Sequence, residues 1–209
     1  GMNILLDTLA YNTHYLGFNA NMVANEMFLD SSSLRSSAVS HAKMLGYEVS
    51  SARAPKAVVN INLTTTDATK TLAAGTAFTT TVDGVNYQFV TTSDRTAANS
   101  GNVVTFDSVD IYEGTYVIGK SIVDTSNPDQ KFTLTDPNAD TSTLTVKVQN
   151  STSDTTTTTY TKATDITQLS ASSTVYYLQE IERGRFEVYF GDGVVSKALT
   201  NGNIVVLQY

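Results

Sequence analysis

Residues 57–64 read AVVNINLT, and this stretch decides the fold. Val59, Ile61 and Leu63 alternate with Asn60, Asn62 and Thr64, so an extended chain here carries one apolar and one polar face. That period of two is the signature of a half-buried strand. Towards the N-terminus, across Pro55, the period changes. In LLDTLAYNTHYLGFNANMVANEMFLD, residues 5–30, the series Leu5, Leu9, Leu16, Val23 and Met27 recurs at helical spacing. Tyr11, Tyr15, Phe18 and Met22 lie beside it, giving one broad apolar stripe. Gly17, Asn19 and Asn21 are poor helix formers, so a break is expected near them. Asp30 and Ser31–Ser33 supply N-cap oxygens for a second helix carrying Leu34, Ala38, Val39, Ala42 and Leu45, with Gly46 as its stop.

Towards the C-terminus strand candidates follow at short intervals: 76–82, 85–92, 102–111, 114–123, 130–135, 143–150, 174–181, 185–190 and 203–209. Asp83-Gly84 separates two alternating runs as a two-residue hairpin turn requires. Glu113-Gly114, Gly191-Asp192-Gly193 and Asn201-Gly202 are further turn signals. The chain therefore reads as α+β: an N-terminal helical segment followed by a mainly antiparallel β body divisible into two small β modules. Residues 124–129, DTSNPD, form a turn-rich spacer that would end one sheet and begin the next. The expected division is a helical arm at 1–54 and β modules at 55–125 and 126–209. Residues 151–159, STSDTTTTT, hold no apolar side chain and read as an exposed loop or a solvent-facing edge strand. No repeat of fixed period is visible.

Composition agrees and removes several function classes. Among the 209 residues are 33 threonines, and β-branched side chains favour strands. Thirteen basic against twenty acidic residues give a net charge of -7, so no nucleic-acid partner is expected. Without cysteine there is no disulfide framework, thiolate metal site or thiol nucleophile. No apolar run approaches the roughly 18 residues that would span a bilayer, so no membrane partner is expected. The opening GMNILLD lacks the basic region and small-residue cleavage site of a secretory signal. Gly1, ahead of Met2, reads as an appended residue.

The fragments that suggest chemistry each fail on a specific position. Asp136, Asn138 and Asp140 have the spacing of the first three ligands of a calcium loop. Thr141 and Lys147 stand where the loop needs its glycine and its bidentate glutamate, which leaves a polar turn. Residues 191–198, GDGVVSKA, approach a phosphate-binding loop, but Ser196 replaces the glycine before Lys197 and Ala198 the magnesium-binding hydroxyl. His14 and His41 both lie in the helical end, and Ser37 with His41 makes a polar surface pair without an orienting carboxylate or oxyanion hole. No carboxylates sit in a recognisable acid/base context. Tyr176, Tyr177, Phe186, Tyr189 and Phe190 suit either a sheet core or a carbohydrate groove, the core being the commoner use. No catalytic, metal or cofactor residue is expected, and none of these patterns makes the chain an enzyme. A helix with an apolar stripe must cover it, and where the β body does not, the cover is another subunit.

Three segments resemble a known family. Residues 33–55, SLRSSAVSHAKMLGYEVSSARAP, resemble the entry segment of baseplate wedge proteins of contractile-tailed phages, the baseplate J-like group. Residues 109–148 resemble T-even-type members in the Tyr-Glu-Gly turn, the Asp-rich spacer and the DTSTLTVKV strand. Residues 185–209 resemble the family in the phenylalanine, Gly-Asp-Gly, Asn-Gly and terminal aromatic pattern, with Ser196 at a position where a second glycine is expected. Family members are longer, so this chain is read as a part of one. The resemblance implies a virion protein of the tail baseplate that binds itself, as a homo-oligomer, and neighbouring wedge proteins, with no catalysis and no cofactor. Leu5, Leu9, Leu16, Val23 and Met27 are the expected subunit contacts. A glycan- or host-surface-binding β module of a tail adhesin is the alternative.

Overall fold

A computed structural model describes residues 2–127, 130–181 and 184–209. Gly1, expected to be an appended residue, and the Pro128–Asp129 end of the spacer lie outside the described residues. The chain divides into a helical unit, 1–50, and a β unit, 51–209.

The helical unit holds α1 (Met2–Glu26) and α2 (Arg35–Met44). The expected break at Gly17, Asn19 and Asn21 does not occur, and α1 is continuous over 25 residues. One glycine costs about 1 kcal/mol in a helix interior, while each added residue gains a backbone hydrogen bond. The start of α2 also departs from expectation. Its N-cap is Leu34 and no side chain caps it. Ser33, expected to cap, instead donates its hydroxyl to the Glu26 carboxylate at 2.6 Å, and the same carboxylate accepts the Ser33 N–H at 2.9 Å. The stop at Gly46 holds. With φ at +77° it lets the Tyr47 N–H reach the Ala42 carbonyl and its own N–H the Lys43 carbonyl, the paired bonds of a Schellman end.

The β unit holds two sheets. The first contains β1 (Lys56–Thr64), β2 (Thr69–Leu72), β3 (Ala77–Val82), β4 (Val85–Thr91), β5 (Arg95–Ser100) and β6 (Val103–Glu113). Its long strand β6 takes β1 along one side and both β5 and β4 along the other. Asp83 and Gly84, with φ of +51° and +79°, close the β3–β4 hairpin as expected, Val82 facing Val85. The core of this sheet is Val104, Phe106, Val109 and Ile111 of β6, backed by Ala57, Val59 and Ile61, the apolar face of the deciding stretch.

The second sheet contains β7 (Ile118–Ile122), β8 (Phe132–Thr133), β9 (Thr145–Gln149), β10 (Thr157–Lys162), β11 (Val175–Glu180), β12 (Phe186–Tyr189) and β13 (Ile204–Gln208), in the order β7-β13-β9-β10-β11-β12-β8. All pairs are antiparallel except β10–β11. Val146, Val148, Tyr160, Val188, Val205 and Leu207 form its main core.

Two expectations change here. The sheet does not change at 124–129, because β7 already pairs with β13 along Ile118–Ile122. The change falls between Glu113 and Ile118, and the described part of the spacer, 124–127, follows β7 within the second sheet. Gln130 binds back to this stretch, accepting the Asp124 N–H and donating to the Ile122 carbonyl. Of the threonine-rich run, residues 151–156 form a loop as expected, whereas 157–159 enter β10, an interior strand rather than an edge. Tyr160, just past the run, supplies its buried anchor at 4% exposure.

Candidate assembly surface

Of the expected contact residues, Leu5, Leu9, Leu16 and Val23 lie on α1 and Met27 one position beyond it. At about 100° per residue all five project within an arc of roughly 40°. Each is between 65 and 72% exposed, and α1 contains no buried residue. Ile4, Tyr11, Tyr15, Phe18 and Met22 make a second ridge, roughly a third of a turn away, on which the Tyr11 and Tyr15 rings lie 4.8 Å apart. Asn12 and Asn19 fall between the ridges. The broad stripe read from sequence is thus two ridges with a polar line between them.

The helix is also nearly uncharged. Asp7 and Glu26 are its carboxylates, and it has no lysine or arginine. Glu26 is fully engaged at the α1–α2 turn. The Ser33 hydroxyl foremost, then the Ser37 hydroxyl and the backbone N–H groups of Ser33 and Leu34, lower its pKa to about 2 against a small opposing effect of burial. The His41 ring donates from Nε2 to the Glu26 carbonyl at 2.9 Å. Ser37 and His41, adjacent on the helix, therefore both serve this turn. Sequence spacing gave no sign of it, because Glu26 lies fifteen positions from His41.

In the β unit the residues that suggested chemistry have structural partners. Asp136 accepts the Asn138 N–H at 2.8 Å. Asp140, 9% exposed, accepts the Ser142 N–H and hydroxyl on one oxygen and the Ala54 N–H on the other. Ser51 Oγ in turn accepts from the Thr141 N–H and hydroxyl. Residues 51–55, which lead into the first sheet, are thereby strapped to the 136–143 loop of the second. A cleft of about 370 Å³ lies beside this strap, walled by Arg53, Glu113, Tyr116, Asp136, Asp140 and Tyr209. Tyr116 forms part of this junction and packs on Gly75, where φ is +82° and a Cβ would meet the ring at 2.9 Å.

The GDGVVSKA segment folds back on itself as a tight loop. Gly191 bridges Ala198, the Gly193 N–H bonds the Ser196 carbonyl, and the strand β13 follows after a turn. Ser196 is fully buried and fills the space that a Cβ on Gly191 would take. The Ser196 departure noted in sequence is therefore the complement of Gly191. The aromatic residues do not form a common groove. Tyr176 and Phe186 are core, Phe190 packs edge-on against Phe132 and Tyr160, and Tyr177 stacks on Tyr189 apart from them. No helix among the described residues is long and apolar enough to cross a membrane.

An exposed, almost uncharged apolar helix has the character of an interaction surface, and the β unit adds two small, separately cored sheets. Comparison with known sequences makes the class specific. The family described as bacteriophage baseplate wedge protein gp6, third domain, matches residues 118–208, the span of the second sheet. The helical domain of gp6-like baseplate wedge proteins matches residues 1–47, which end one residue past Gly46. Baseplate wedge protein gp6 of Enterobacteria phage T4 is 30% identical over 208 residues, covering 96% of this chain and 30% of that protein. The chain belongs to the T4-type baseplate wedge proteins, and this membership places it in the tail baseplate of the virion. It spans about a third of the length of the relative it matches.

Proposed function

We propose that this chain is a structural, non-catalytic part of the baseplate wedge that associates with further copies of itself and with neighbouring wedge proteins through α1. The observation that carries this reading is the helix itself: twenty-five residues, no lysine or arginine, and apolar ridges exposed along its length. Covering a large side chain such as Leu9 or Leu16 contributes about 1.5–3 kcal/mol. Two ridges roughly a third of a turn apart need cover on two sides. The β unit maintains spacing, since each sheet has its own core.

The test is the solution mass of the wild-type chain and of a Leu9→Asp, Leu16→Asp variant, by size-exclusion chromatography with light scattering over a wide concentration range. The expected wild-type result is an oligomer that survives high salt, because apolar contacts are not screened. The variant is expected to be monomeric with the circular dichroism of its β unit unchanged. An unchanged oligomer in the variant, or a wild-type monomer, overturns the role of α1.

A further inference from the structure

We propose that the outer edge of β1 is a second interface, pairing antiparallel with β1 of another copy about a twofold axis at Asn60. This interface does not involve α1. Among the described residues β1 pairs with β6 alone, leaving a nine-residue edge without a strand partner. Which groups face that edge follows from the bonds at its two ends. The Glu113 N–H bonds the Pro55 carbonyl and the Thr65 N–H bonds the Asn102 carbonyl, so odd-numbered residues point their backbone groups at β6. The N–H and C=O groups of Lys56, Val58, Asn60, Asn62 and Thr64 therefore point outward.

Protected edges carry charges, prolines or bulges, and this edge carries little of that kind. The register shift beside Asn60 takes β1 forward two residues and β6 back three, so the extra residue lies in β6 and β1 stays regular. Ser108, at φ +51°, occupies that bulge, and Asn60 Oδ1 accepts its N–H. The single charge on the strand, Lys56, is matched within its own chain by Asp110 at 2.9 Å.

The strand is also self-complementary. With Asn60 facing Asn60, Val58 faces Asn62 and Lys56 faces Thr64, every one of them an outward-bonding residue. Roughly ten main-chain hydrogen bonds result. On the core side Val59 then faces Ile61 and Ala57 faces Leu63, so the apolar face of one copy continues into that of the next. Leu63, 43% exposed in the single chain, gains cover. No like charges meet. Such a contact is isologous and closes as a dimer.

The chain has no cysteine, so engineered thiols report the register directly. Directly opposed residues of a bonded antiparallel pair have Cα atoms about 5.5 Å apart, within disulfide range. Asn60→Cys is expected to give a disulfide-linked dimer under mild oxidation. Val58→Cys and Asn62→Cys are each expected to remain unlinked, yet to link when mixed. This second pair leaves the Asn60–Ser108 bond intact and guards against a folding defect in the first variant. All three are repeated in the Leu9→Asp, Leu16→Asp background, where linkage is expected to persist. Absence of both the Asn60→Cys link and the mixed link in folded protein overturns the proposal. Equal linkage of every variant, or linkage only with α1 intact, also overturns it.

Discussion

At Glu26 one carboxylate holds the helical unit together. Its hydrogen bonds from Ser33, Ser37 and Leu34 favour the ionised form, which is why its pKa falls to about 2. A depressed carboxylate contributes stability that is complete above its unfolded value, about 4.3, and that is lost as pH falls through the folded value. The α1–α2 turn is therefore expected to stay closed from neutral pH to about 3 and to open near 2. The check is the Glu26 side-chain carboxyl resonance followed by NMR against pH, alongside the amide resonances of Ser33 and Leu34. A midpoint near 4 would mean that the serine contacts do not exist in solution. Glu26→Gln is expected to loosen the turn at neutral pH and to remove its dependence on pH between about 4 and 2. Little of this was legible beforehand. The serines were visible as hydrogen-bonding residues, but local pattern rules assign a serine before a helix to the N-cap, and only the tertiary approach of α1 shows the better acceptor.

Among the elements, the loop at 191–198 shows how one position sets another. Gly191 leaves room for Ser196, which is fully buried. Gly191→Ala would drive its Cβ into the Ser196 hydroxyl and carbonyl, and overpacking of this kind costs about 1–3 kcal/mol. Urea denaturation monitored by tyrosine fluorescence should show that loss, whereas Gly84→Ala, with nothing within 4 Å of its Cβ, should show only the backbone strain of its +79° φ. A stability unchanged by Gly191→Ala would deny the packing described. Most strands were legible because period two and turn residues are local properties. The short β2 and β5 were not, since TKTL and RTAANS lack an alternating apolar pattern and are held by pairing with each other and with β6. The interior place of β10 was hidden for a related reason: a threonine run has strand propensity without a core face, and its anchor is Tyr160 beyond it.

At the scale of the β unit, two sheets with separate cores meet through the 51–55 strap and the packing of Tyr116 on Gly75, and that junction explains what the sequence left ambiguous. A turn-rich stretch such as 124–129 marks a change of direction, but composition does not say whether the next strand joins the same sheet. The crossover at 114–117 carries only the modest Glu113-Gly114 signal, yet there the chain leaves Gln88 of the first sheet and pairs Val117 with Tyr209 of the second. The contact most open to test at this junction is Asp140. Burial raises its pKa, but the Ser142 hydroxyl, the N–H groups of Ala54 and Ser142 and the charge of Arg53 outweigh that and lower it overall. Its bond to Ala54 thus contributes fully at neutral pH and weakens as pH falls below the ordinary carboxylate range. Asp140→Ala removes a charged acceptor from three donors, for which about 1.5–3 kcal/mol per charged hydrogen bond is the guide. For a chain of this size each 1 kcal/mol moves Tm by about 2–4 °C. Because each sheet has its own core, with Val146, Val188 and Val205 in one and Val104 in the other, the variant is expected to keep both sheets. Hydrogen exchange should therefore quicken at the amides of Ala54, Thr141 and Ser142 while β6 and β13 stay protected. Equal loss of protection in β6 and β13 would mean that the sheets unfold as one body and that the strap is no separate joint.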